Sequence, residues 1–409
     1  MKKSSYTPGK EIIEKYADLL VNFALGSGTG IKKGDVVLVQ GSEASRPLYI
    51  ALVKAVWRAD GHVIADYGMD TYSDEDNLDR FFFENASDEQ VGFFKRDYAR
   101  GLIKQIDHEV IVLSDTNLQA LKGVDPAKMM KRGLVSKPLH DWMEKKENEG
   151  KFTWTLGLYG TEAMAKEAGL TLEEYWQQII EACYLDKPDP IAEWKKIYRQ
   201  IKEYTTKLDA MDIEWVKVQG EDIDLKIKIG KERSWEGGGG RNIPSFEIFT
   251  SPDWRGTEGW ARFNQPLYRY GNLVEGIELW FEKGRVVKSK ATKNEKVLKE
   301  MIATEGADKL GEFSMTDARF SRITHFMAET LFDENMGGEF GNTHVAVGLS
   351  YKDCYKGDPS RVTKAEWKKM GYNDSSVHTD IVTTTNRTVT AILPDGSEEV
   401  IYQNGQFVI

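Results

Sequence analysis

The spacing of apolar residues changes once along this chain, near Ile213, and that change limits the folds open to it. Before it, short apolar runs alternate with segments of helix length. Val36-Val37-Leu38-Val39, His62-Val63-Ile64-Ala65, Val110-Ile111-Val112-Leu113 and Phe152 to Leu156 are the runs. Continuous runs of this kind suit strands covered on both faces. Residues 9–24, the stretch through Leu48 to Val53 and residues 88–104 carry helical periodicity between them. Residues 161–210 read as helical, with a break near Pro188 and Pro190. Strands separated by helices predict βαβ units and a mainly parallel sheet. After Ile213 the period becomes two, as in Ile223-Asp224-Leu225-Lys226-Ile227-Lys228-Ile229. A hairpin around Lys283-Gly284 and turns at Pro394-Asp395-Gly396 and Asn404-Gly405 predict antiparallel strands. Helices are expected near 293–303 and 318–332. The predicted fold is an α/β N-terminal domain with a mainly parallel sheet (1–208) and an α+β C-terminal domain with a mainly antiparallel or mixed sheet (209–409). A chain of 409 residues exceeds one ordinary core, in keeping with two domains.

Charge and composition remove several function classes. The net charge of −10 is wrong for a general nucleic-acid binder, which needs a basic face to displace counterions from phosphates. No apolar run approaches the length of a membrane span. Met1-Lys2-Lys3-Ser4-Ser5 lacks a following apolar stretch, so no secretory signal is expected. Cys183 and Cys354 are far apart and form no redox or metal pair, which suits a reducing, cytoplasmic compartment.

Two glycine features bear on nucleotide binding. Gly26-Ser27-Gly28-Thr29-Gly30 follows a helix and precedes a strand, the reverse of the dinucleotide arrangement. Gly41-Ser42-Glu43-Ala44-Ser45 does lie between strand and helix, where backbone N–H groups could hold an anion, but it lacks a phosphate-loop lysine. Both read as turns and caps.

The chemistry concentrates between Gly311 and Asp380. Of six histidines in the chain, His344 and His378 sit here among β-branched residues. In His378-Thr379-Asp380, residues i and i+2 of a strand point to one face and can serve one site. Glu312 lies in an apolar segment from Leu310 to Met315, and Glu247 stands between Phe246 and Ile248. Asp333-Glu334-Asn335 closes a predicted helix, where acids oppose the dipole. Each residue alone has an ordinary reading as a salt-bridge partner or a hydrogen-bonded core histidine. Together they form a mixed imidazole and carboxylate set of the kind that a hard or borderline divalent metal requires.

These motifs resemble the aminopeptidase T and aminopeptidase S family of metal-dependent aminopeptidases. The resemblance rests on Asn242 to Glu247, Gly311-Glu312, Leu331-Phe332-Asp333-Glu334-Asn335, His344 to Gly348 with Tyr351, and Val377 to Asp380, in that order. It implies two divalent metal ions (zinc, cobalt, manganese or magnesium) held by Glu247, Glu312, Glu334, His344, His378 and Asp380. It also implies Glu312 or Glu334 as proton shuttle, Tyr351 as hydrogen-bond donor to the oxyanion, peptides with a free N-terminus as substrates, and a homodimer. Phe246 stands where the family usually has glycine. The segment Met336 to Thr343 is longer than the family's usual link, so Glu339 competes with Glu334, which keeps the Asp-Glu-Asn context and is preferred. Tyr351 lies seven residues after His344, on the opposite face of a straight strand unless the chain bends at Gly348. Alternative readings are a metal-dependent dipeptidase or amidohydrolase and, from another class, a non-catalytic nucleotide- or sugar-phosphate-binding α/β protein.

Overall fold

A computed structural model describes residues 6–269 and 271–409. The N-terminal pentapeptide read above lies outside the described residues. The contacts divide the chain into two compact units. One runs up to Lys195 and takes back Gly239–Ser245; the other comprises Lys196–Gly238 and Phe246–Ile409.

The first unit contains the parallel sheet that the apolar runs predict. Strands β1 (Val36–Ser42), β2 (His62–Gly68), β3 (His108–Leu113) and β4 (Thr153–Leu158) lie in the order β2-β1-β3-β4. All three pairings are parallel. Val37 and Val39 are fully buried on one face and Leu38, between them, is buried on the other, so the continuous run of β1 reflects cover on both faces, whereas the edge strand β2 is largely exposed. The predicted helix over 88–104 is two helices, Asp88–Val91 and Arg96–Gln105. A capping box between Ser87 and Gln90 opens the first. The Arg132 guanidinium then binds the Phe93 carbonyl at 2.6 Å, taking an acceptor that a continuous helix would use.

The second unit contains the alternating strands. They are β5 (Trp215–Gly220), β6 (Ile223–Lys228), β7 (Glu247–Thr250), β8 (Glu258–Phe263), β9 (Leu267–Arg269), β10 (Asn272–Val274), β11 (Ile277–Glu282) and β12 (Arg285–Lys290). After them come β13 (Leu310–Thr316), β14 (Asn342–Gly348), β15 (His378–Thr383), β16 (Arg387–Ile392), β17 (Glu398–Gln403) and β18 (Gln406–Phe407). An eight-stranded antiparallel sheet runs β12-β11-β8-β6-β5-β16-β17-β18, and a four-stranded one runs β15-β14-β13-β7. Arg387, on β16, joins the two. Its guanidinium binds the hydroxyls of Thr343 at 2.9 Å and Thr383 at 2.6 Å, while Asp222 balances its charge at 2.8 Å.

The predicted helix over 318–332 does not form; only Thr330–Asp333 is helical. Side chains hold the chain in a loop instead. Asp317 accepts from the Arg319 N–H, Asp333 accepts from the Met327 and Glu329 N–H groups, and Ala328 has a φ of 53°. Such side-chain to backbone bonds replace the helical ladder. The apolar residues Met327, Leu331 and Phe332 are buried all the same, which explains their helix-like spacing.

Candidate metal centre

The four-stranded sheet carries the predicted residues, and its register explains how. Glu247 pairs with Thr316, Ser314 with His344, Glu312 with Ala346, and Ala346 with Asp380. Paired residues share a face, as do residues two apart along a strand. Glu247, Glu312, His344, His378 and Asp380 therefore all project from one face, across four strands. Ala346 lies between Glu312 and Asp380 on that face, and its methyl group leaves room for the carboxylates to converge.

Register alone would also put Leu310 on that face, two residues before Glu312. Leu310 instead pairs with Val347, and the register shifts between it and Glu312. Gly311 is the extra residue of this bulge, which turns Leu310 to the opposite side and leaves Glu312 aimed at the cluster. A Cβ at Gly311 would collide with the Leu349 carbonyl, so the bulge requires glycine there.

The donor atoms meet closely. The His344 Nε2 lies 3.1 Å from Glu312 Oε1, 3.3 Å from Glu247 Oε2 and 3.9 Å from Asp380 Oδ1. The His378 Nε2 lies 3.5 Å from Asp380 Oδ1 and 3.7 Å from Glu312 Oε2. Two triads result, Glu247–Glu312–His344 and Glu312–His378–Asp380, each with donor atoms within 4.8 Å of one another. They share Glu312. The His378 Nδ1 faces the Leu349 carbonyl at 2.9 Å, which fixes the ring and leaves Nε2 toward the cluster.

Glu334 reaches this group from the loop, not from a strand. It is buried, and Glu247 and Asp380 act on its ionisation. Glu339 is exposed. Tyr351 also reaches the cluster. Strand β14 ends at Gly348, whose φ of 109° only glycine adopts freely. A Cβ there would strike the Val377 carbonyl. The chain bends, and the Tyr351 ring lies 4.5 Å from the His378 ring, with Phe249 5.9 Å beyond it.

Electrostatics argue that these groups are made for a cation. Burial pushes the Glu312 carboxyl up to about 7, with Glu247 and Asp380 adding to it. Burial likewise holds Glu334 well above the carboxylate range, and again Glu247 and Asp380 contribute. For Asp380 burial acts upward most strongly, but His378, His344 and Arg269 together outweigh it and bring the group down to about 2. Burial opposes charge on His378, yet Asp380 and Glu312 raise it to about 9. A face with four buried carboxylates and two imidazoles is costly unless protons or cations neutralise it. Oxygen and imidazole donors fit zinc, cobalt or manganese, and magnesium at the oxygen-rich end.

Sequence reasoning missed Ser314, whose buried hydroxyl donates to Glu247 Oε2 at 3.3 Å, and Phe249 beside Tyr351. Ser314 is two residues from Glu312, so same-face spacing was the available signal.

The ends of β1 and β3, where the alternative reading would place a nucleotide, look different. The Ala44 N–H, at the start of the helix Arg46–Arg58, is taken by the Asp70 carboxylate at 2.5 Å. The Ser42 and Ser114 hydroxyls bond each other at 2.8 Å, and the Ser42 N–H is taken by Ser45 Oγ at 3.0 Å. A carboxylate already occupies the anion position, and phosphate would be repelled. Among the described residues, no helix is long and apolar enough to cross a membrane.

Comparison with known proteins identifies the family and the fold. The family described as thermophilic metalloprotease (M29) matches residues 9–407. The chain is 28% identical to aminopeptidase PepS of Streptococcus thermophilus, over 98% of each sequence. It is 30% identical to aminopeptidase T of Thermus thermophilus, over 73% of this chain and 76% of that one. The solved structure of wild-type AmpT from Thermus thermophilus superposes with a TM-score of 0.82 at 25% identity, covering 98% of this chain and all of that one.

Proposed function

We propose a two-metal site for this chain, which belongs to the thermophilic metalloprotease (M29) family and is a metal-dependent aminopeptidase. The observation that carries the proposal is the pair of triads sharing Glu312 on one sheet face. In this reading Glu247, Glu312 and His344 hold one divalent cation, Glu312, His378 and Asp380 hold the other, and Glu334 completes the set. Bound divalent cations would activate water as nucleophile and polarise the scissile carbonyl.

The protein's own groups supply the rest. Glu312 would accept the proton of the attacking water and return it to the leaving amine. Glu334 is the second candidate for that role. Tyr351 is half-buried, lies beside His378 and, as burial and the nearby Glu312 hold its pKa well up, keeps its hydroxyl proton. It would donate a hydrogen bond to the oxygen on which charge develops. Phe249 forms an apolar wall beside it.

Zinc, cobalt, manganese and magnesium all match the donor set, and the substrates are peptides with a free N-terminus. We place the protein in the cytoplasm, a reading supported by Cys183 and Cys354 both being free and buried. We also propose a homodimer, supported by exposed apolar side chains at Met69, Leu78, Phe81 and Phe93. The catalytic site falls within the proposed domain 209–409. Elemental analysis of purified protein is expected to find about two divalent metals per chain. Chelation should abolish hydrolysis of aminoacyl-anilides, and added metal should restore it. A chain with one metal or none at full activity would overturn the two-metal reading. Activity on dipeptides alone would favour a dipeptidase.

A further inference from the structure

Of the carboxylates in the cluster, Glu247, Glu312 and Asp380 lie on strands whose register is set by the sheet. Glu334 does not. It follows the one-turn helix Thr330–Asp333, in a segment tied down by side chains. What sets Glu334 against the sheet is therefore a separate question, and two buried amides answer it.

Asn335 is fully buried. Its Oδ1 accepts the Phe246 N–H at 2.6 Å, immediately before Glu247. Its Nδ2 donates to the Leu331 carbonyl at 3.1 Å and to Glu334 Oε1 at 3.4 Å. Asn342, also buried, opens β14 two residues before His344. Its Nδ2 donates to the Glu334 carbonyl at 3.0 Å and the Met336 carbonyl at 2.6 Å, and its Oδ1 faces His344 Nδ1 at 3.4 Å. Each amide thus touches the Glu334 turn with its donor and the sheet with its acceptor. Only a side chain that both donates and accepts can do this, and a carboxylate or an aliphatic group cannot. Phe246 belongs to the same arrangement. Its side chain is fully buried, so the N–H held by Asn335 sits on an anchored residue, not on a pliable glycine.

We propose that Asn335 and Asn342 are positioning residues that clamp the Glu334 turn onto the metal-bearing sheet, so that metal affinity depends on their amides. The proposal rests on the two-metal reading above. It is tested on the full-length chain, stripped of metal, by calorimetric titration with zinc. Asn335→Ala and Asn342→Ala remove the clamp bonds without adding bulk to these buried positions. Each is expected to weaken zinc binding by about 10- to 100-fold. Excess zinc should then restore turnover, while the metal-free variants give the same circular dichroism and melting profile as the metal-free wild type, which a folding defect would not. Affinity within about twofold of wild type in both variants overturns the clamp.

A second measurement needs no variant. In the wild-type chain, zinc should slow amide exchange at Phe246 and across residues 330–337 together. Slowing on β13 to β15, with exchange in that turn unchanged, overturns the clamp even if the variants misfold. A wild-type chain that binds neither zinc nor manganese overturns the metal reading itself, and the clamp with it.

Discussion

Two places in this molecule gather acidic and hydroxyl side chains, and they differ in how those groups are satisfied. At the ends of β1 and β3, Asp70 accepts a backbone N–H, the Ser42 and Ser114 hydroxyls bond each other, and the Thr116 hydroxyl donates to the Thr71 carbonyl at 2.9 Å. On the site face of β15-β14-β13-β7, carboxylates confront carboxylates. There Glu312 and Glu334 both feel Glu247 and Asp380. Hydrogen-bonded groups can rest without a ligand, whereas converging buried carboxylates need protons or a cation to neutralise them.

Removing a carboxylate should therefore act oppositely in the two places. Glu312→Gln is expected to cut kcat/KM on aminoacyl-anilides by about 10³-fold or more, because the shared residue of both triads is lost. The same variant, metal-free, should melt no lower than metal-free wild type, because one buried repulsive charge is gone. A folded, metal-loaded Glu312→Gln chain with unchanged turnover would break the assignment. His378→Ala should lose activity similarly. Tyr351→Phe removes a single hydroxyl, and kcat should fall about 10²-fold to 10³-fold with little change in KM if that hydroxyl faces the oxyanion. Glu334→Gln against Glu339→Gln sharpens the contrast inside the loop. The first should weaken metal binding, measured by calorimetry, and the second should leave both binding and turnover unchanged.

A smaller effect belongs to the parallel sheet. Glu109, on β3, accepts a hydrogen bond from Gln40 Nε2 at 2.9 Å, and burial, helped by Asp66, raises its carboxyl to about 7. A folded-state pKa raised above the ordinary carboxylate value means stability fully present below that ordinary value. It is lost as pH rises through about 7. Glu109→Gln should raise the melting temperature at pH 8 and leave it nearly unchanged at pH 4, an effect of up to about 3 kcal/mol. Equal shifts at both pH values would argue against a buried titrating carboxyl. The smallest effect is expected for Asp70→Asn, which should cost about 0.3–1 kcal/mol by weakening the charge at a helix N-terminus. Its turnover should match wild type, and a large loss would mean that the strand ends do serve function.

The change of period near Ile213 was enough to establish a parallel sheet first and antiparallel sheets after it. That is because side-chain alternation and continuous burial are local consequences of which faces a strand covers. The ligand types and their order were legible for the same reason: His378 and Asp380 share a face by spacing alone. Other features depended on contacts between segments distant in sequence. The loop at 318–332 reads as a helix because its apolar residues are spaced like one, while Asp317, Ser321 and Asp333 hold it open through bonds to backbone groups elsewhere in the loop. The bulge at Gly311 turns Glu312 toward the cluster only because β14 pairs beside it, and the bend after Gly348 brings Tyr351 round to His378. The sequence by itself determined which residues could bind a metal, through their chemistry and strand spacing. Only the tertiary structure decided that Glu247, Glu312, Glu334, His344, His378 and Asp380 meet, since register, bulge and buried amides are properties of chain pairs and not of either segment alone.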